Sequence, residues 1–154
     1  MFSGYGVTVE GILEGAGVEY RVMELTDRAV SVEDVVRFSK EDINPGKICK
    51  TIIVKSKAGF TALFLRGSDR VSFKKLRGVT GKARIASSED VVEITGVMPG
   101  AVCPLLVPVP VIVDWKLLAL DRVNFGSGDH LYGLEMKSAD LFRVFDFTVA
   151  DISE

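Results

Sequence analysis

Ile48-Cys49-Lys50-Thr51-Ile52-Ile53-Val54-Lys55-Ser56 runs into Lys57-Ala58-Gly59 and then into Phe60-Thr61-Ala62-Leu63-Phe64-Leu65-Arg66. Both flanking runs are rich in β-branched and apolar residues, and the short segment between them ends on a glycine, as a hairpin loop does. The stretch predicts two antiparallel strands, over 48–56 and 60–66. Alternate residues of a strand share a face, so Lys50 lies with Ile52 and Val54, while Cys49, Thr51 and Ile53 line the other side. Both faces are apolar, as in an interior strand. A lysine there either snorkels from the strand end to solvent or points into a cavity, and snorkelling is the commoner outcome.

Outward from this hairpin, helices and strands are mixed. Val9, Ile12, Leu13 and Ala16 recur at helical spacing, and Gly17 is a natural stop. Val18–Leu25 reads as a strand. Ser31 with Asp34 resembles an N-terminal capping pair for a helix carrying Val32, Val35 and Val36. Asn44-Pro45-Gly46 is a turn. Ser72–Leu76 reads as a short helix ended by Gly78, Lys82–Ile85 as a strand, and Ser88 as the cap of a helix reaching Thr95. Gly96–Pro108 is a Pro/Gly-marked loop. Strands are expected over Val109–Val113, Arg122–Phe125 and Leu131–Met136, then a short helix at Ser138–Phe142 and a closing segment at Phe145–Val149. Many strands joined by hairpins and short helices predict a mixed α/β fold. The sheet is expected to be mixed and partly barrel-like with peripheral helices, without a doubly wound βαβ rhythm.

The 154 residues suit one domain, taken as 1–154. A 47% hydrophobic content, 26% charged residues and a mean hydropathy of +0.28 describe a globular chain with a well-stocked core. The net charge of −2 argues against a protein that coats long nucleic acids, although it leaves room for contact with one end. Lys47, Lys50, Lys55 and Lys57 form one basic run and Lys74, Lys75, Arg77, Lys82 and Arg84 another. Each reads first as a solvated face. The N-terminus lacks a signal-peptide pattern, so a reducing cytoplasm is expected, with Cys49 and Cys103 as free thiols. Pro104, Pro108 and Pro110 interrupt the apolar stretch from Val102 to Val113, which removes the one candidate for a membrane span.

One histidine and no Cys-x-x-Cys pair leave no material for the usual zinc sites, so no metal and no cofactor are expected. There is no G-x-S-x-G elbow, P-loop or G-x-G-x-x-G. Two loops stand out beside Lys50. Gly96-Val97-Met98-Pro99-Gly100, followed by Ala101-Val102-Cys103-Pro104-Leu105, can bring backbone close to a ligand and offer amides to a carbonyl or oxyanion. Alone it reads as an ordinary connection. Asn124-Phe125-Gly126-Ser127-Gly128-Asp129-His130 is either a plain hairpin turn or a pocket-lining loop, with His130 a substrate contact, a proton-transfer residue or, as a lone histidine more often is, a surface or loop residue.

In this order, Lys50-Thr51-Ile52-Ile53-Val54, Thr95–Gly100 with Pro104-Leu105, Val111-Ile112-Val113-Asp114, and Gly126-Ser127-Gly128 ahead of Ser138-Ala139-Asp140-Leu141 resemble the YbaK/ProRS-associated editing domains. The likeness spans about Ile43 to Leu141. It implies hydrolysis of the ester of a mischarged tRNA, most often tRNA for proline carrying alanine, cysteine or another small residue, without metal or covalent nucleophile. Under the resemblance Lys50 matches the family's key lysine and would hold the terminal adenosine. Gly96, Val97, Met98, Pro99 and Gly100 would shape the amino-acid pocket, with Val97, Met98 and Ile52 as its wall. Gly126, Ser127, Gly128 and His130 would complete substrate binding. Cys103, close behind the loop, reads as a packing residue. The implied partners are the acceptor 3′ end of a mischarged tRNA and a prolyl-tRNA synthetase. Two other readings stay open: a non-catalytic binding module for tRNA ends or aminoacyl groups, and a hydrolase of some other small ester.

Overall fold

The computed structural model describes residues 3–4, 7–29, 31–40 and 43–154. Its strands are β1 (Ser3–Gly4), β2 (Val7–Thr8), β3 (Tyr20–Glu24), β4 (Cys49–Ser56), β5 (Gly59–Arg66), β6 (Ala83–Ile85), β7 (Val111–Asp114), β8 (Arg122–Gly126), β9 (Tyr132–Lys137) and β10 (Thr148–Ala150). The α-helices are α1 (Val9–Gly15), α2 (Val32–Phe38), α3 (Phe73–Thr80) and α4 (Ser88–Thr95), with 3₁₀ turns at Pro45–Lys47, Leu117–Ala119 and Ser138–Arg143. No helix among the described residues is long and apolar enough to cross a membrane.

The predicted hairpin forms. Ser56 pairs with Gly59 and Cys49 with Arg66, which leaves Lys57-Ala58 as the loop. Around it lies a five-stranded sheet in the order β10-β7-β5-β4-β6, parallel from β10 to β5 and antiparallel beyond. A second, antiparallel sheet has the order β3-β9-β8. A parallel bridge between Ile48 and Asn124 joins the two, so the barrel-like enclosure is partial. The mixed α/β architecture expected from the sequence is the one observed.

Local chemistry accounts for the helix ends. The side chains of Thr8, Ser31 and Ser72 accept hydrogen bonds from the amides of Gly11, Asp34 and Lys75, satisfying donors that a helix start leaves free. Two boundaries differ from the sequence reading. Gly78 sits inside α3, and the stop is Gly81, whose φ of +79° suits glycine. The cap of α4 is Ser87, which accepts from Asp90, while Ser88 is already helical. In both places two similar residues compete for one role, and the backbone turn decides between them.

The strand alternation holds. Cys49 and Ile53 enter the main core with Phe64, Val113, Phe125, Leu134 and Met136. Val54 joins Leu63, Leu65, Leu76, Ile112 and Ile152 on the opposite face, with Ile52 half-buried against them. Phe64 of one sheet meets Phe125 of the other edge-on, with centroids 5.6 Å apart. Asp114, fully buried, accepts from the Ile152 amide and the Ser153 hydroxyl, each at 3.0 Å, and so ties the C-terminal segment to β7. Phe64→Ala removes the contact between the sheets and should cost about 3–5 kcal/mol in urea unfolding. A loss below about 1 kcal/mol would show that the sheets are held together elsewhere.

Candidate active site

On the side of β4 away from β5, pairing is interrupted. Ile48 bridges to Asn124 at one end, and β6 takes up the ladder only from Val54 at the other. Among the described residues no strand pairs with 49–52 on that side. A cavity of about 530 Å³ lies in the gap. Its wall takes in Ile48 to Ile53, Val32 and Glu33 of α2, Gly67, Pro99 and Gly100 of the long loop, and Asn124, Gly126 and His130. The volume falls within the usual range for small-ligand sites.

Lys50 is half-buried on this wall. Its ammonium donates to the carbonyls of Gly67 (3.2 Å) and Asp69 (2.5 Å). The side chain is therefore held against the 67–69 turn, of which Gly67 lines the same cavity. An ammonium has three donors, so one remains to be used. Burial lowers the Lys50 pKa, and the negative charges of Asp69 and Glu33 oppose that shift. The carbonyls are held in turn: Arg66 grips Asp69 through two hydrogen bonds, at 2.7 and 3.0 Å. That grip holds the Asp69 carboxyl below its ordinary pKa. Gly67 must be small, because a Cβ there would stand 2.7 Å from Val32 Cγ2 and 2.8 Å from the Ile48 carbonyl oxygen.

The two loops are joined to each other. The Gly128 amide donates to the Ala101 carbonyl at 2.8 Å. A Cβ on Gly126 would meet the Val102 and Ala101 carbonyl oxygens at 3.1 and 3.2 Å. Thr95, buried at the end of α4, donates to the Val91 carbonyl (2.7 Å) and accepts from the Val97 amide (3.2 Å), which fixes the start of the long loop. The amide of Gly100, where φ is +94°, has no partner among the described residues, and Gly100 lines the cavity.

Of the residues singled out in the sequence, Lys50, Pro99, Gly100, Gly126 and His130 come together around this space, as does Ile52. Gly96, Val97, Met98, Ser127 and Gly128 lie off its wall. Met98 is exposed, while Val97 and Gly128 border a separate void of about 10 Å³. Ser127 is buried and engaged within its own loop, accepting from the Asp129 amide and donating to the Tyr132 carbonyl at 2.7 Å. His130 Nδ1 lies 2.7 Å from the Ala29 carbonyl. A carbonyl only accepts, so Nδ1 carries the hydrogen and Nε2 presents a lone pair in the neutral ring.

Sequence reasoning missed Thr51 and Asn124. Thr51 Oγ1, Asn124 Oδ1 and His130 Nε2 are buried and have no hydrogen-bond partner among the described residues, and all three residues line the cavity. The signal for the first two was present: Thr51 sits between Cys49 and Ile53 on its strand face, and Asn124 between Val123 and Phe125 along the chain. Buried polar atoms are normally satisfied, so these three groups stand out among the residues that line the cavity.

The thiols offer no nucleophile. Burial pushes both Cys49 and Cys103 up to about 12.

The aminoacyl-tRNA editing domain family matches residues 26–144. The chain belongs to that family. It is 26% identical over 114 residues, 73% of its length, to the proline–tRNA ligase of Desulfotalea psychrophila, and spans 19% of that enzyme. Among solved structures, the hypothetical protein APE2540 superposes with a TM-score of 0.85 at 29% identity, covering 95% of this chain and 99% of that one. A "putative trans-editing enzyme for prolyl tRNA synthetase" superposes with a TM-score of 0.81 at 25% identity, covering 95% and 94%.

Gly126→Ala should press the two loops apart and weaken ligand binding at least several-fold while the far-UV circular dichroism stays unchanged. Unaltered binding would show that the loops have room to spare. Because both thiols are buried, the native editing domain should resist iodoacetamide at pH 8 and react only on unfolding, as counted by mass spectrometry. Rapid labelling of native Cys103 would contradict its placement.

Proposed function

We propose that the protein is a free-standing deacylase that hydrolyses the ester of mischarged aminoacyl-tRNA, with tRNA for proline carrying a small wrong residue such as alanine or cysteine as its substrate. The observation that carries this reading is a held ammonium, Lys50, on a residue lining a cavity that Thr51, Asn124 and His130 also line, each of the three with a buried polar atom that has no described partner. The family, and the superposing protein described as a putative trans-editing enzyme for prolyl tRNA synthetase, support the same chemistry.

In the proposed mechanism the 3′-terminal adenosine enters along the open edge of β4. The remaining Lys50 donor contacts its ribose or phosphate and sets the register. The Gly100 amide then faces the ester carbonyl, where charge grows as water adds. Water attacks the carbonyl carbon, the bond from that carbon to the ribose oxygen breaks, and the proton released by water ends on the leaving hydroxyl. A neighbouring ribose hydroxyl of the substrate assists the transfer. No side-chain nucleophile takes part, so the rate comes from positioning and preorganised donors. The members of the loop set that lie off the wall, Gly96, Val97, Met98, Ser127 and Gly128, act through the shape of the two loops, and Pro99, Gly100, Gly126 and His130 act at the wall itself.

A chain that grips only the acceptor end can carry a net charge of −2. The cytoplasm, where charged tRNA is used, is the proposed location, and a prolyl-tRNA synthetase is the proposed upstream partner. Discrimination among alanine, cysteine and serine rests on pocket differences of about 1–3 kcal/mol.

The deciding experiment is a deacylation time course on tRNA for proline charged separately with alanine, cysteine, serine and proline. Wild type should clear at least one mischarged species and spare the proline form, and Lys50→Ala should lose roughly a hundredfold or more in rate. Survival of every species at high enzyme concentration would leave a non-catalytic binding module as the better account.

The pH profile provides a second check. Burial lowers the Lys50 pKa, so its charged form disappears at lower pH than that of an exposed lysine. Catalysed deacylation, corrected for spontaneous hydrolysis, should therefore fall on the alkaline side. Lys50→Arg keeps its charge, and any activity it retains should lack that limb. An identical limb in Lys50→Arg would assign it to another group.

A further inference from the structure

Lys50 owes its position to a turn, and that turn is fixed at its exit by a segment that lies off the cavity. The two carbonyls that receive the Lys50 ammonium belong to Gly67 and Asp69. On the entry side, the Gly67 amide donates to the Ile48 carbonyl at 2.7 Å, which ties the turn to the residue before β4. On the exit side, residues 70–72 run antiparallel to 152–154. The Glu154 amide donates to the Arg70 carbonyl at 2.9 Å, the Ser72 amide donates to the Ile152 carbonyl at 2.8 Å, and Val71 bridges Ser153.

The 151–154 segment is itself held from several directions. Ile152 is fully buried in the cluster of Val54, Leu63, Leu65 and Leu76. Buried Asp114 accepts from the Ile152 amide and the Ser153 hydroxyl. The Lys75 ammonium donates to Asp151 Oδ1 at 3.0 Å and to the Ser153 carbonyl at 2.8 Å, and the Lys116 ammonium donates to the Glu154 carbonyl at 2.9 Å. Each of these bonds has a charged group at one end, which makes it stronger than a neutral one. Neither Lys75 nor any residue of 151–154 lines the cavity.

We infer that the 151–154 segment is a positioning strap for Lys50, with Ser153 and Lys75 as positioning residues that set it. For its effect on rate the inference rests on the deacylase reading, which it deepens. The path is short and continuous. Asp114 and Lys75 fix the strap, the strap fixes 70–72, and Asp69, the residue before them, offers its carbonyl to the ammonium. A lysine stem is flexible, so its head sits where its acceptors are held. A shift of the turn by about 1 Å displaces those acceptors by as much, and misplacement on that scale can cost about a hundredfold in rate. A change in the strap touches no cavity wall, so its effect on the reaction passes through the lysine.

The test labels amines of the full chain with acetic anhydride across a range of pH and follows each lysine by mass spectrometry. Burial lowers the Lys50 pKa, so its labelling midpoint in the wild type lies below that of an exposed lysine. Ser153→Ala and Lys75→Met should each raise the midpoint toward the exposed value, as the ammonium gains water. Both should also lower kcat for deacylation of mischarged tRNA roughly tenfold. Lys75 is exposed, so its variant decides the matter should Ser153→Ala fail to fold. Val9→Ala, in the other core cluster, is the control: it should lower the melting temperature and leave both readings unchanged. An unchanged midpoint in folded variants, or a raised midpoint with kcat intact, would overturn the strap. A raised midpoint in a protein that deacylates no charged tRNA would uphold the strap's hold on Lys50 and sink the deacylase reading.

Discussion

The arrangement turns on a stretch of strand edge that its neighbours decline to cover. β4 is central to the hairpin and paired with β5 along its whole length, yet on its other side it has a partner only at the two ends. A strand edge presents unsatisfied amides and carbonyls, which proteins normally cover or blunt. Here α2, the long Pro/Gly loop and the β8–β9 turn stand around the edge without pairing to it, and the cavity is the space they enclose. The bridge from Ile48 to Asn124 sets how far the second sheet stands off. The ladder from Val54 sets where the gap ends.

Rigid supports surround this opening. The Lys50 ammonium is held by two carbonyls, those carbonyls by a turn, and that turn by the paired Arg66 and Asp69. On the far wall, Thr95 anchors one loop, Ser127 the other, and the Gly128 amide links the two. Several residues that do not touch the cavity thus determine its shape. For an editing domain this matters, because a site without a nucleophilic side chain depends on where its donors and acceptors are held.

Selectivity in such a site has two sources of different strength. Apolar wall residues distinguish side chains by size, which is weak. Polar atoms buried without partners distinguish by hydrogen-bonding pattern, which is strong, since each mismatch leaves a desolvated group unpaired. Thr51, Asn124 and His130 carry buried polar atoms without a described partner, and Ile52 lines the same cavity.

The sequence by itself determined the elements whose causes are local. The β-branched runs and the Lys57-Ala58 loop specify the hairpin, serine and threonine caps specify helix starts, and alternation puts Lys50 opposite Cys49 and Ile53. Even there, choices between near-equivalent neighbours, Gly78 or Gly81 and Ser87 or Ser88, were settled by the folded backbone. The family resemblance brought Lys50 and the two glycine loops forward together. Only the tertiary structure decided which loop residues face the cavity, that Gly67 and Asp69 hold the lysine, and that Thr51 and Asn124 have no described partner. The reason is distance along the chain: His130 is oriented by a carbonyl 101 residues away, and Asn124 is placed by a strand of another sheet. No local pattern encodes such a meeting, because it exists only once the sheets have joined.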